Sequence, residues 1–420
     1  MFVRKSIVGL AIIGGVLAAV FGPLTGLILG VATWMGRGAG QGTRLQSATL
    51  ALALASLGLG FGVAAAWTGW RALRRARGGL FSLPRWGWWA LATGVVLALG
   101  QAAFSAGFTP LMPALHIAAG ALPPLLFLSL AAGAARRWDG ATSARGTVGS
   151  LAWGGLGGVG MALLLEMVIA LAGLIALMIW LATTNPDALA QLEAWASQAA
   201  SQAGSTGQPG DLRELRSLLT TLPAILGMVA LMGVVAPLIE EGAKALAVPL
   251  VALTGRRLTR LDGFVFGVAA GAGFALFEGI LNGALALTTP TGWAGLMLLR
   301  GGTAAIHCLA AGLVGLGWQA ALAERRMLRG LSLGVAGVLL HGAWNIAAGL
   351  QALTALGMAA EPNRAAGVGV TIAILSFMTL LWLAATGALA LIPRWLVPVQ
   401  PLPPLLPPPE PKSLGGFNGT

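Results

Sequence analysis

Residues 155–181 read GLGGVGMALLLEMVIALAGLIALMIWL, with Glu166 the one ionisable side chain. A helix rises about 1.5 Å per residue, so this stretch is long enough to cross a hydrocarbon core of about 30 Å. Its apolar residues cover every face, which a water-exposed helix would not tolerate. Similar runs recur near 7–32, 47–69, 86–108, 113–135, 222–253, 264–287, 294–322, 331–359 and 367–392. None alternates apolar and polar residues as an outer-membrane strand does. The expected fold is therefore all-α, a polytopic helical membrane protein of about ten transmembrane helices.

Composition agrees. The 420 residues are 57% hydrophobic and only 9% charged, against roughly a quarter charged in soluble domains. The net charge of +12 does not mark a nucleic-acid protein, because the basic residues lie between the apolar runs, where they set orientation. With the N-terminus in the cytoplasm, 18 Lys and Arg fall on inner segments and 5 on outer ones (Arg37, Arg44, Arg213, Arg216 and Arg364). Both termini are thus expected inside. The apolar stretch after Arg4 and Lys5 is longer than a secretory signal core, so it reads as a retained span. Cys308 is the single cysteine and excludes an internal disulfide. The 22 Arg against 3 Lys, with abundant Ala, Gly and Leu, are the usage of a GC-rich bacterial genome, and the expected location is a bacterial cytoplasmic membrane.

The chain divides into a five-span region (1–182), an extracytoplasmic polar or interfacial segment (183–221), a four-helix core (222–359), a final span (360–392) and a disordered proline-rich tail (393–420). Asn185-Pro186-Asp187 is a helix start, with Asn as N-cap and Pro at the first position. That helix lies on the outer leaflet or acts as a lid over a substrate.

Ionisable residues inside spans are costly to keep there, and so are informative. They are Glu166, Glu240, Glu241, Lys244, Glu278, Arg300, His307 and His341, joined by the amide of Asn345. All but Glu166 belong to the four spans between 222 and 359. Counted from the inner end of each span, Glu240, Glu278, His307, His341 and Asn345 fall in one layer, roughly 15–23 Å deep at 1.5 Å per residue. Glu240 and Lys244 are i,i+4 and share a helix face, as do His341 and Asn345. Pro237 loosens the helix just before the glutamates. Gly267, Gly271, Phe274 and Glu278 form a stripe whose small residues aim Glu278 at a neighbouring helix.

Bland readings stand beside these. Glu240 with Lys244 can be a neutral staple between helices, and His307 a packing residue. Arg300 either neutralises carboxylates or snorkels. His116 sits near an outer boundary and reads as interfacial. Glu166 is either a member of the site or a partner of Lys244. The coincidence of carboxylates, histidines and an amide at one depth favours a site.

Glu240 and Glu278 can exchange protons with water, a histidine can assist, and His341 with Asn345 can donate to an oxyanion. Water attack on an amide carbonyl is the reaction class this set fits. The same side chains, Glu240, Glu278, His307 and His341, can instead hold a divalent metal such as zinc. No His-Glu-x-x-His pair is present, and the spread of ligands over four helices favours direct activation of water.

Glu240-Glu241-x-x-Lys244, then Gly271-x-Gly273-Phe274-x-x-x-Glu278, His307, and His341-x-x-Trp344-Asn345 together resemble the PrsW family of intramembrane proteases. That family is similar to the group containing the CAAX prenyl endopeptidases and bacteriocin-processing membrane proteins. The motifs lie within 222–349, and the spans before them carry no match. The resemblance implies a helical fold with a cavity open to the membrane and peptide hydrolysis within or near the bilayer. It implies catalytic roles for Glu240, Glu241, Glu278, His307, His341 and Asn345, supported by Lys244 and Arg300. Where those prenyl endopeptidases have a histidine, this chain has Glu278. The implied partner is a single-span membrane protein, of which a membrane-bound anti-sigma factor is one class, with the lipid bilayer around it and no nucleic acid. A proton- or cation-coupled transporter would show inverted repeats, and none is evident. A non-catalytic scaffold or immunity protein is the other alternative.

Overall fold

The computed structural model describes residues 2–35, 40–74, 79–138, 140–187, 189–190, 193–194, 197, 222–288, 290–360 and 364–397. Among these the chain is helical, apart from turns and one isolated bridge between Leu80 and Ser143. Among the described residues ten helical stretches are long and apolar enough to cross a membrane, and the protein is a multi-pass membrane protein. The lid or interfacial helix expected within 183–221 and the proline-rich tail lie mostly outside the described residues.

The helices are α1 (Phe2–Met35), α2 (Gln41–Leu73), α3 (Trp86–Ser105), α4 (Met112–Arg136), α5 (Ala144–Ala152), α6 (Val159–Thr184), α7 (Leu222–Ala230), α8 (Ala236–Ala245), α9 (Ala247–Leu253), α10 (Arg260–Gly283), α11 (Trp293–Leu322), α12 (Met327–Ala360) and α13 (Arg364–Leu396). The fifth span is α5 and α6 joined by a π turn at Trp153–Gly158, and it starts earlier than hydropathy indicated because Ala144–Ala152 is a weakly apolar helix. The sixth span is broken twice. A π turn at Leu231–Val235 precedes Pro237, which lacks the N–H that would continue the ladder, and the chain turns again at Leu246. The short α8 between these breaks carries Glu240, Glu241 and Lys244.

α10 is the centre of the molecule. Every residue from Leu261 to Ala275 is buried, as expected of a helix apolar on all sides. It packs on α4, α5 and α11, while α12 and α13 close around α11. Its inner end is fixed by a capping box between Thr259 and Asp262, with Asp262 also paired to Arg256 at 2.9 Å. α1 and α2 form a hairpin whose backbones meet at Gly22 and Gly58, where a Cβ on either would overlap the other's Cα. His116 is not at a wet interface. It is fully buried, its Nε2–H donating to the Ile280 carbonyl at 2.9 Å and its Nδ1 accepting from Trp293 Nε1–H at 3.2 Å, so it ties α4 to α10 and α11.

Candidate active site

The site is assembled where α8, α10, α11 and α12 face one another. Glycine brings the backbones close enough for this. A Cβ at Gly271 would overlap the His307 carbonyl, and one at Gly342 would overlap the Gly233 carbonyl. The first contact seats α10 beside the histidine of α11, and the second seats α12 against the π turn leading into α8.

Lys244 occupies the middle of the cluster and is wholly buried. Its Nζ donates to Glu240 Oε2 at 2.8 Å, to Glu241 Oε1 at 2.8 Å and to His307 Nδ1 at 2.7 Å. The helical spacings i,i+3 and i,i+4 place both carboxylates beside one ammonium. The Phe274 ring lies 4.0 Å from the same Nζ and adds a cation–π contact. His307 receives the lysine on Nδ1, and its Nε2–H donates to Glu278 Oε2 at 2.7 Å. Glu278 is itself held, its Oε1 taking Arg300 Nη2 at 2.9 Å and the Asn282 amide at 2.9 Å. Arg300 thus neutralises a carboxylate.

His341 stacks edge-on against His307, with ring centroids 4.6 Å apart. Its Nδ1 is 3.0 Å from Glu241 Oε1, but the atoms are misaligned, so the contact is electrostatic and Nδ1 has no hydrogen bond. Glu241 Oε2 is likewise buried and unbonded. His341 Nε2 faces Glu240 Oε2 at 3.9 Å, and His307 Nδ1 faces the same oxygen at 4.0 Å. One ligand atom each from Glu240, His307 and His341 therefore lies within 4.8 Å of the others.

Three carboxylates (Glu240, Glu241, Glu278) against two cations (Lys244, Arg300) leave the cluster one negative charge in excess when all are ionised. Two imidazoles and a carboxylate are the donor set of a catalytic zinc site with an open position. Lys244 Nζ, bonded to two of the three candidate ligands, is a stand-in cation that marks where positive charge is favoured. The residues fit a divalent ion, provided the ammonium moves aside. Glu278 is not among the three; it bonds the outer nitrogen of His307, the usual place of a carboxylate that orients a ligating histidine.

Asn345 lies one turn beyond His341, half-buried and without a hydrogen bond to the cluster. Glu166, on α6, stands near enough to interact with the charges of Glu240, Lys244 and Glu278, and its buried Oε1 is unbonded. Sequence reading gave no role to Asn282, although its i,i+4 spacing from Glu278 was a signal, or to Phe274 as a lid over the ammonium. It could not have found Trp153, whose Nε1–H donates to the Ala243 carbonyl at 2.9 Å and braces α8 from ninety residues away.

Residues 214–390 match the family described as PrsW family intramembrane metalloprotease, a segment that begins before α7 and ends within α13. No curated protein and no solved structure matches the chain. The matched segment holds all four helices that build the cluster. Over this segment the chain is similar to the PrsW family of intramembrane metalloproteases, and the likeness supports a peptide hydrolase of the membrane.

Proposed function

We propose that the protein cleaves a single-span membrane protein within or near the bilayer, using water activated beside Glu240, His307 and His341. The observation that carries this reading is the convergence of those three side chains from α8, α11 and α12. A divalent ion such as zinc, held by these three residues, would supply Lewis-acid activation of the attacking water. Glu278 fixes the tautomer of His307, keeping the proton on Nε2 and the Nδ1 lone pair turned inward. Glu240 is the most accessible of the three inner ligand candidates, at 12% exposure, and among the described residues its Oε1 has no hydrogen bond. It takes the proton of the attacking water and returns it to the amide nitrogen as the C–N bond breaks. The Asn345 amide donates to the developing oxyanion, and the His341 inner nitrogen joins it only where no metal occupies that nitrogen. Glu241 balances Lys244 and positions His341.

The ammonium lodged between Glu240 and His307 favours a second reading, in which Lys244 supplies the cation and water is activated without a metal. Elemental analysis of active, detergent-purified protein separates the two. Near-stoichiometric zinc that disappears in His307→Ala and His341→Ala supports the metal reading, and full activity without a bound metal refutes it. Cleavage itself is tested by reconstituting the protein with candidate single-span substrates. Glu240→Gln, which keeps the shape and removes proton exchange, should be inactive; equal turnover by wild type and this variant removes Glu240 from the mechanism.

The charge distribution supports a cytoplasmic-membrane location with both termini inside, and a membrane-bound anti-sigma factor is one substrate class to include.

A further inference from the structure

A cavity of about 790 Å³ lies outside the catalytic cluster, between α1, α2, the π turn at Trp153–Gly158 and α9. Its size is that of a ligand site. Its walls are apolar, formed by residues such as Ala11, Leu156 and Leu250, and Leu10 at its rim is 70% exposed, so it opens where the protein meets lipid. Arg4, Arg145 and Arg256 line its polar end. They come from the start of the first span, the start of the fifth and the end of the sixth, which alternating spans put on one side of the membrane.

Charge is unbalanced at that end. Arg256 is paired with Asp262. Arg145 stands in the repulsive fields of Arg4 and Arg256, and among the described residues neither Arg4 nor Arg145 has an ion pair. Like charges are gathered at the mouth of an apolar cavity, and among the described residues only Arg256 has a carboxylate partner.

We infer that this cavity binds one anionic phospholipid, its phosphate between Arg4, Arg145 and Arg256 and an acyl chain along the walls of α1 and α9. A soluble anion would gain nothing from the apolar walls. A substrate helix would bring its own basic flank to this face, against three arginines. The lipid satisfies both parts of the cavity. It would also lie against Trp153, which braces α8, and against Ala247 and Leu250 just beyond Lys244.

The test uses native mass spectrometry of the full chain in detergent with equimolar dioleoyl phosphatidylglycerol and dioleoyl phosphatidylcholine. At roughly fivefold per arginine, the wild type should retain one phosphatidylglycerol with about a hundredfold preference. Arg4→Gln with Arg145→Gln should lower that preference about 25-fold while the melting temperature holds. Gly14 lines the cavity and a Cβ there meets nothing within 4 Å, so Gly14→Leu should block retention of either lipid without disturbing packing. Arg326→Gln, outside the cavity, should change nothing. Equal retention of the two lipids by wild type, or undiminished retention in both the arginine and the Gly14 variants, overturns the assignment. Displacement by glycerol 1-phosphate alone would make it a free-anion site, and displacement by a spanning polyalanine-leucine peptide a polypeptide groove; either result also overturns it.

Discussion

Replacing Lys244 by Met removes the ammonium that faces Glu240, Glu241 and His307 at once while nearly preserving side-chain length. Lys244 and Glu241 are completely buried and Glu240 almost so, so water cannot take over the lost contacts. Glu241 is hit hardest, since its second oxygen is already unbonded. Removing one partner of a buried pair costs about 3–5 kcal/mol, because the remaining charge is left uncompensated. In chelator the variant should melt several degrees below wild type. Zinc should then do more for the variant than for wild type. A ligand at a hundred times its Kd stabilises by about 2.7 kcal/mol, and in Lys244→Met no ammonium has to be displaced first. Thermal melting in detergent across a zinc titration, with bound zinc measured on the same samples, reads both effects. Two results would refute the reasoning. Wild-type melting of Lys244→Met in chelator would mean that the ammonium does not compensate the carboxylates. Zinc affinity no higher in the variant than in wild type would mean that ion and ammonium do not share a position.

Glu278→Gln should keep the fold, because its remaining oxygen still accepts from Arg300 and Asn282, yet its amide NH2 cannot accept from His307 Nε2–H, so turnover should slow by about 10–100-fold, as loss of a ligand-orienting partner does; unchanged turnover in a peptide-cleavage assay would show that His307 needs no anchor. Asn345→Ala should lower kcat by roughly 10²–10³ with little change in KM, the loss expected for one oxyanion donor, and an effect on KM alone would make it a binding residue. Glu324, in the turn between α11 and α12, is held below the usual carboxylate range by its hydrogen bond from Arg260. Its contribution is therefore present above the ordinary carboxylate range and lost as pH falls through the lowered value. Because Arg260 is well exposed, Glu324→Gln should cost under about 1 kcal/mol at neutral pH and progressively less as pH falls below the ordinary carboxylate range, and a melting difference that grows on acidification would contradict this. Cysteines placed at Ser205 and Ser413 in a Cys308→Ala background should label from opposite sides of the membrane; labelling of both from outside would sink the proposed orientation.

The amino-acid sequence determined the class of fold and the members of the cluster for one shared reason, the cost of polarity in hydrocarbon. Ten long apolar runs had to be spanning helices, and Glu240, Lys244, Glu278, His307 and His341 stood out because so few ionisable groups interrupt them. Spacing along one helix was equally legible, so the Glu240–Lys244 pair and the reach of Asn282 to Glu278 follow from 3.6 residues per turn. Depth counting placed the groups in one layer but could not assign partners within it. Only tertiary structure decided that Glu278 bonds the outer nitrogen of His307 while Glu240 shares the inner side with His341. It alone decided that Arg300 pairs with Glu278, that His116 is buried, and that Lys244 lies between two of the candidate ligands. Those outcomes depend on how α8, α10, α11 and α12 rotate about their axes and how closely their backbones approach. Rotation and approach are set by contacts such as Gly271 on His307, Gly342 on Gly233, and Trp153 on Ala243, which join residues far apart in the chain and leave no periodic trace along it.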